Sequence, residues 1–208
     1  MAVRGSGDTL AASVILDVGG LPLLTEALVV AWIASEVGVR LHARVLGAPS
    51  RVPHGRDRES WSVLSASVVV SLVVSLWDHR TPLAGAVPPW ALALGQLAMV
   101  IGISVRSWAL LVLGRFFTTH VTFQAGHRLV TGGPYRWVRH PSYTGALLSL
   151  LGFPLACGSL FGLVVALAVV PVAFAYRIRV EERALREGFG AAYERYSERT
   201  WRLVPGLY

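Results

Sequence analysis

Two short polar segments of the sequence combine residue types that can bind and orient a charged ligand. In the first, RHPSY, His140 precedes Pro141. Proline disfavours the helical conformation for the residue before it and suits the first helical turn itself, so His140 should lie at a helix N-terminus. Backbone amides at that end favour a carboxylate or a phosphate. Tyr143 can add a hydroxyl in the same turn, and the upstream GGPY turn places Tyr135 nearby.

The second segment, RIRVEERAL at residues 177–185, follows the last long apolar run. Arg177 and Glu181 are four residues apart and fall on one helical face, with Glu182 next in the chain. An exposed pair of this kind contributes only about 0.3–0.5 kcal/mol, which is a weak reason for two acids beside a membrane. The segment therefore favours a second half of a binding site, on the same side of the membrane as the first.

A purely structural interpretation of both segments stays open. Arg136 and Arg139 can anchor a membrane span by the positive-inside rule, and Tyr135, Trp137 and Tyr143 can form an aromatic belt at the interface. The second segment can equally hold an arginine that ends a span and pairs with a glutamate. Composition alone does not separate the two interpretations.

Other chemistries find little support in the sequence. His120, His127 and His140 could suggest a metal site, but no carboxylate or cysteine accompanies them, so we expect no metal. The single cysteine, Cys157, excludes an internal disulfide and a cysteine-based zinc cluster. The motifs of P-loop, Rossmann and GxSxG enzymes do not occur.

The composition is that of a membrane protein. Of the 208 residues, 54% are hydrophobic and 15% charged, well away from a soluble domain, and the mean hydropathy is +0.56. The 19 basic residues are all arginine, and they lie in blocks between apolar runs rather than on one basic face. This placement follows the positive-inside rule and argues against a nucleic-acid partner.

The apolar runs predict an all-α, polytopic membrane bundle of about five transmembrane helices. Each run approaches the roughly 20 residues that cross a hydrocarbon core. We expect the third to continue obliquely to Arg115 and the last two to form a tight hairpin over 141–176. The expected spans are 21–39, 61–77, 90–105, 141–158 and 160–176.

The predicted spans divide the chain into an N-terminal membrane region, 1–106, and a C-terminal region, 107–208. The C-terminal region should hold a polar cytoplasmic segment before the hairpin and, within 177–208, a C-terminal amphipathic helix. Basic loops inside place the N-terminus outside and the C-terminus in the cytoplasm, in what we expect to be a bacterial inner membrane. The acids of the first span, Glu26 and Glu36, are expected at an interface or facing the bundle.

The ordered combination of these motifs carries a family resemblance. HRLVTGGPYRWVRHPSYTG, a hairpin of two short spans and RIRVEERALREGFGAAYERY together resemble the isoprenylcysteine carboxyl methyltransferase family, which is related to the phospholipid methyltransferases. The resemblance covers about residues 107–208, and it implies that this part is the catalytic region, with a cytoplasmic cofactor-binding loop before the hairpin. It implies methyl transfer from S-adenosylmethionine at the cytoplasmic face of the membrane, to a lipophilic small-molecule or prenylated acceptor. The other expected partners are the membrane lipids around the chain.

The resemblance also implies roles for individual residues. Arg177 corresponds to the position for catalysis and substrate binding, and Glu182 lies beside it as a second substrate-side residue. Glu181 suits the ammonium and ribose hydroxyls of the cofactor, and the N-terminus of the fourth span suits its carboxylate. The apolar residues Leu129 and Val130 can flank adenine. The implied cofactor contacts are His120, His127, Leu129, Val130, Tyr135, His140, Pro141, Ser142, Tyr143 and Glu181.

The expected acceptor is the carboxylate of an isoprenylcysteine-like substrate, and the amine of a phospholipid or a small thiol stays open as an alternative. A carboxylate can be held by Arg177 in a bidentate fork and needs no general base, since it is already ionised. An amine or thiol has to lose a proton, for which Glu182 or a histidine could serve. Two rival classes are a sterol-reductase-like enzyme that uses NADPH and a membrane scaffold without activity.

Overall fold

The computed structural model describes residues 21–45, 56–83, 87–116, 129–206 and 208. Within these ranges the chain is all helical. Two short 3₁₀ turns, Gly114–Phe116 and Gly133–Arg136, follow the third helix and precede the fourth. The α-helices are α1 (Leu23–Val45), α2 (Arg56–Arg80), α3 (Pro89–Leu113), α4 (Pro141–Ala156), α5 (Leu160–Phe189) and α6 (Ala191–Glu198).

Three of these helices are long and apolar enough to cross a membrane: Asp57–Arg80 in α2, all of α3 and all of α5. Large apolar side chains on them point outward, among them Leu111, which is 71% exposed, and Val172, which is 69% exposed. An outward apolar surface of this kind suits lipid. The chain is therefore a multi-pass integral membrane protein, while the expected count of five spans stays a prediction.

Two helices extend beyond the predicted spans. The third span continues as one helix through Leu113, and the 3₁₀ turn prolongs it to Phe116, in agreement with the expected continuation to Arg115. The fifth continues past Tyr176 as far as Phe189, so most of the expected amphipathic tail helix belongs to α5. No proline or glycine interrupts 177–187, and the helix ends only at Gly190, whose φ of 52° is a left-handed conformation.

The helices α3 and α4 approach each other through glycine. A Cβ on Gly102 would lie 2.6 Å from the Gly145 carbonyl oxygen, and one on Gly145 would lie 2.5 Å from the Gly102 carbonyl oxygen. Small residues let two membrane helices pack backbone to backbone. The N-terminus of α4 is thereby held against the last turns of α3.

The remaining helices enclose this pair. The buried core between α2, α4 and α5 includes Leu64, Leu150, Val170 and Phe174. At one end of the bundle, Asp78 of α2 is buried and its carboxylate accepts hydrogen bonds from the Ser159 hydroxyl at 2.7 Å and the Phe161 amide at 3.2 Å. We call this end, where α4 turns into α5, the Asp78 end, and the opposite end the His140 end.

Candidate functional site

The approach to α4 has the geometry that the sequence predicted. Residues Gly133–Arg136 form the 3₁₀ turn, and His140 is the N-cap residue of α4, with Pro141 in the first turn. The His140 and Tyr143 rings stack with their centroids 5.6 Å apart. The prediction of a helix start at His140 is therefore confirmed.

The C-terminal tail packs over this helix start. The Arg139 amide donates to the Trp201 carbonyl oxygen at 2.7 Å, and the His140 amide donates to that of Arg202 at 3.0 Å. The Thr144 hydroxyl donates to the Leu203 carbonyl oxygen at 2.7 Å. Residues 201–203 thus form a strap that shields the beginning of α4, which the apolar pattern of the tail did not indicate.

Tyr143 joins the two polar segments. Its hydroxyl donates to Oε2 of Glu181 at 2.6 Å and accepts a longer contact of 3.4 Å from Nε of Arg177. Tyr143 lies one turn into α4, while the other two residues lie one turn apart in α5. The structure therefore brings together three of the residues that the sequence analysis selected.

Two residues of α2 complete this cluster, and sequence reasoning missed both. Nη1 of Arg177 donates to the Asp57 carboxylate at 2.5 Å, to the Asp57 carbonyl oxygen at 3.2 Å and to the Ser60 hydroxyl at 2.9 Å. The Arg177 side chain is only 2% exposed. The polar stretch RDRES before the second apolar run was a signal, but a local pattern cannot show which distant arginine it meets.

Glu182 occupies a different environment from its neighbour Glu181. Its side chain is 2% exposed and its carboxylate lies 3.0 Å from Nε of Arg139 and 3.2 Å from the guanidinium groups of Arg186 and Arg202. Nε2 of His140 lies 3.5 Å from the same carboxylate. A buried carboxylate that pairs with three arginines stabilises the fold. This position argues against its expected role as a substrate contact or a base.

The contacts of Arg139 are not those of a residue that only anchors a membrane span. Besides Glu182, its Nη1 donates to the carbonyl oxygens of Ser197, at 2.7 Å, and Thr200. Its side chain is 8% exposed. Arg139 therefore ties the RHPSY segment to α5 and to the end of α6, while Arg136 lies over the Trp137 ring at the surface.

The remaining predicted residues are placed less distinctively. Leu129, Val130 and Ser142 are half-buried, and Tyr135 is buried. Burial raises the pKa of the Tyr135 hydroxyl above its ordinary value, and the charge of Glu181 adds to this effect. The phenol therefore stays protonated at neutral pH. His120 and His127 lie outside the residues that the structure describes.

The comparisons with known proteins point to one family. A family model described as the isoprenylcysteine carboxyl methyltransferase (ICMT) family matches residues 93–187. Protein-S-isoprenylcysteine O-methyltransferase B of Arabidopsis thaliana is 33% identical over 160 residues, which is 73% of this chain and 81% of the relative. Methyltransferase A of the same plant is 35% identical over 118 residues, 56% of this chain and 60% of that relative.

A solved structure has a similar fold. The eukaryotic intramembrane Ras methyltransferase, an isoprenylcysteine carboxyl methyltransferase solved without a monobody, aligns with a TM-score of 0.62 at 19% identity, over 96% of this chain and 74% of its own. The fold and the matched region define an integral-membrane methyltransferase. The chain belongs to the isoprenylcysteine carboxyl methyltransferase family.

Proposed function

We propose that this chain transfers the methyl group of S-adenosylmethionine to the carboxylate of a lipophilic, isoprenylcysteine-like acceptor. The observation that carries the proposal is the contact of Tyr143 with both Glu181 and Arg177, which unites the two polar segments at one end of a membrane bundle. The names of the plant relatives, which are protein-S-isoprenylcysteine O-methyltransferases, support an isoprenylcysteine-like acceptor.

The charges of the cluster fit a cationic cofactor. Two carboxylates, of Asp57 and Glu181, accompany the one guanidinium of Arg177, so these three side chains carry an excess of negative charge. S-adenosylmethionine bears a sulfonium and an ammonium group. We assign the ammonium and ribose hydroxyls to Glu181 and the adenine to the half-buried Leu129 and Val130.

The start of α4 offers a seat for the carboxylate of the cofactor. Pro141 has no N–H group, and the amides of Tyr143 and Thr144 both donate to the His140 carbonyl oxygen. The Ser142 amide is thus the first-turn donor that we assign to the cofactor carboxylate. Nε2 of His140 is buried and forms no hydrogen bond of good geometry with the described residues, so it is a further polar group for the cofactor.

Arg177 is the residue to which we assign the acceptor. Its guanidinium is buried and can hold a carboxylate by charge-assisted hydrogen bonds. Because Asp57 already pairs with Arg177, the acceptor carboxylate has to share or replace that partner. An ionised acceptor needs no general base. This fits the position of Glu182, whose carboxylate is already occupied by ion pairs.

When bound, S-adenosylmethionine supplies a methyl group that its sulfonium has already activated. The residues of this chain then have to align the acceptor oxygen and exclude water. Tyr143 fixes Glu181 relative to Arg177, and the strap of residues 201–203 shields the start of α4. His120 and His127, which lie outside the described residues, remain expected cofactor contacts.

We further propose that the His140 end faces the cytoplasm, in a bacterial inner membrane. Many arginines lie at this end, as the positive-inside rule requires of a cytoplasmic face. They include Arg136, Arg139, Arg177, Arg179, Arg183, Arg186 and Arg202.

The test is a methylation assay with the purified full-length protein in detergent micelles. Methyl-labelled S-adenosylmethionine is mixed with an S-prenylated cysteine that has a free carboxylate, and in a control with the same compound as its carboxamide. We expect an alkali-labile labelled product from the acid and none from the carboxamide. A carboxyl methyl ester releases labelled methanol in alkali, whereas an N-methyl or S-methyl product does not.

The outcomes separate the rival functions. Alkali-stable label from a membrane lipid or a small thiol would replace the carboxylate proposal by an N- or S-methyltransferase. Binding of NADPH without binding of S-adenosylmethionine would favour a reductase. Binding of neither would leave a membrane scaffold and would refute the proposal.

A further inference from the structure

An acid in the first helix reaches the candidate site through one arginine. Glu36 lies in α1, and its two carboxylate oxygens accept hydrogen bonds from Nε and Nη2 of Arg106 in α3, the second at 2.9 Å. The side chains are 23% and 16% exposed. A two-point contact of this kind fixes the plane of the guanidinium as well as its position.

The third nitrogen of that guanidinium supports the start of α4. Nη1 of Arg106 donates to the carbonyl oxygen of Ser142 at 3.1 Å. Ser142 lies between His140 and Tyr143, so Arg106 touches the turn that carries the candidate site. The approach depends on Gly145, since a Cβ there would lie 2.6 Å from the Arg106 amide nitrogen.

The positive charge of Arg106 also acts on the turn before α4. It partly opposes the rise that burial and Glu181 cause in the pKa of Tyr135. Arg106 therefore acts on both the GGPY turn and the first turn of α4. Its orientation in turn depends on a helix, α1, that lies outside the region matched by the family model.

We propose that Glu36 is a positioning residue for methyl transfer, which acts through Arg106 to hold the first turn of α4. The inference rests on the proposed function, because that turn presents Tyr143 to Glu181 and the Ser142 amide to the cofactor. Without the Glu36 carboxylate, the Arg106 guanidinium loses its two-point partner. The Ser142 carbonyl oxygen then loses a fixed donor, and the turn becomes less well ordered.

The other end of α1 provides matched controls. The Thr25 hydroxyl donates to the Ala156 carbonyl oxygen at 3.0 Å and accepts from Nε2 of Gln96 at 3.1 Å. Thr25 thus attaches α1 to α3 and α4 far along the helices from the candidate site. Its neighbour Glu26 is a half-buried acid of the same helix.

The experiment compares Glu36→Gln, Glu36→Asp, Glu26→Gln and Thr25→Val in the purified full-length protein. Affinity for S-adenosylmethionine is measured by calorimetry and thermal stability by a melting curve. We expect Glu36→Gln to weaken the affinity about tenfold, the size of a typical coupling between two sites. Glu36→Asp should recover most of the affinity, Thr25→Val should lower only the melting temperature, and Glu26→Gln should change neither.

A double-mutant cycle tests the route through Arg106. In a background of Arg106→Gln, adding Glu36→Gln should have no further effect on affinity, because the two residues act as one unit. An undiminished effect in that background would overturn the inference. So would unchanged affinity in Glu36→Gln, or an equal loss of affinity in Thr25→Val.

Hydrogen exchange provides a measure that does not need the cofactor. Glu36→Gln should accelerate amide exchange in the peptide that contains residues 141–146, and Glu26→Gln should leave it unchanged. If wild-type protein fails to bind S-adenosylmethionine, the proposed function is wrong, and this exchange still decides whether Glu36 holds the turn. Unaltered exchange would refute the inference by itself.

Discussion

The two ends of the bundle hold their carboxylates in different ways. At the Asp78 end, the Asp78 carboxylate is bound by a hydroxyl and by the backbone amides of Phe161 and Leu83, at 2.7, 3.2 and 2.9 Å. At the His140 end, Glu181 and Glu182 meet tyrosine and arginine side chains from other segments. One end uses neutral donors to join helices, and the other gathers charges.

The difference shows which polar groups only hold the fold. Neutral donors at the start of α5 bind the Asp78 carboxylate and so join α2 to the α4–α5 turn. This structural role needs no ligand. The cluster of Arg177, Asp57 and Glu181 is charged on both sides and holds more negative than positive charge. Burying charge is costly even when the charge is paired, so we place the function at the His140 end, where the charges are gathered.

The largest effect is expected for Glu182→Ala. This change leaves the buried Arg139 without its carboxylate, and breaking a buried pair from one side costs about 3–5 kcal/mol. The free energy of unfolding is to be measured by denaturant titration in mixed micelles. The control, Arg186→Ala, removes a partner that is 45% exposed and should cost only about 0.5 kcal/mol. Equal losses would mean that burial does not distinguish these partners.

A second effect, on the ligand rather than the fold, is expected for Glu181→Gln. The change removes the charge that accepts from Tyr143 and that we assign to the cofactor ammonium, so about 1.5–3 kcal/mol of binding should be lost. Affinity for S-adenosylmethionine measures it. Glu187→Gln, an exposed acid further along α5, is the control and should bind as wild type does. Wild-type affinity in Glu181→Gln would remove this residue from the site.

A smaller effect, confined to stability, is expected for Asp78→Asn. The amide keeps one acceptor oxygen but loses the charge that holds the start of α5, and loss of a cap of this kind costs about 1 kcal/mol. The melting temperature should fall while affinity for S-adenosylmethionine is unchanged. A fall in affinity would break the distinction between the two ends.

The smallest effect concerns the pH dependence contributed by Tyr135. Burial raises the pKa of its hydroxyl above the ordinary value of about 10, so both the folded and the unfolded states are protonated below that pH. Stability should therefore not change through Tyr135 up to about pH 10, and should fall above it, because the unfolded state ionises first. Melting curves of wild type and Tyr135→Phe should diverge only in alkali. Divergence near pH 7 would contradict the buried position.

Local rules predicted the parts of the site that lie close together in the chain. The Pro141 ring and the residue before it define a helix start whatever the rest of the molecule does, and GGPY defines a turn. The sequence predicted a span to residue 176 and a helical period after it, but it did not show that both belong to one helix, because hydropathy marks where a helix leaves lipid and does not mark where it ends. The backbone continues to Gly190, where a left-handed conformation stops it.

The sequence by itself determined that the chain is a helical membrane protein and that His140 begins a helix, because apolar length and proline geometry act over neighbouring residues. Only the tertiary structure decided that Arg177 pairs with Asp57, 120 residues away, and that the adjacent acids Glu181 and Glu182 have different partners. Helix packing turns Glu181 towards Tyr143 and Glu182 towards Arg139. A side chain's partners depend on which helices lie beside it, and no local pattern contains that information.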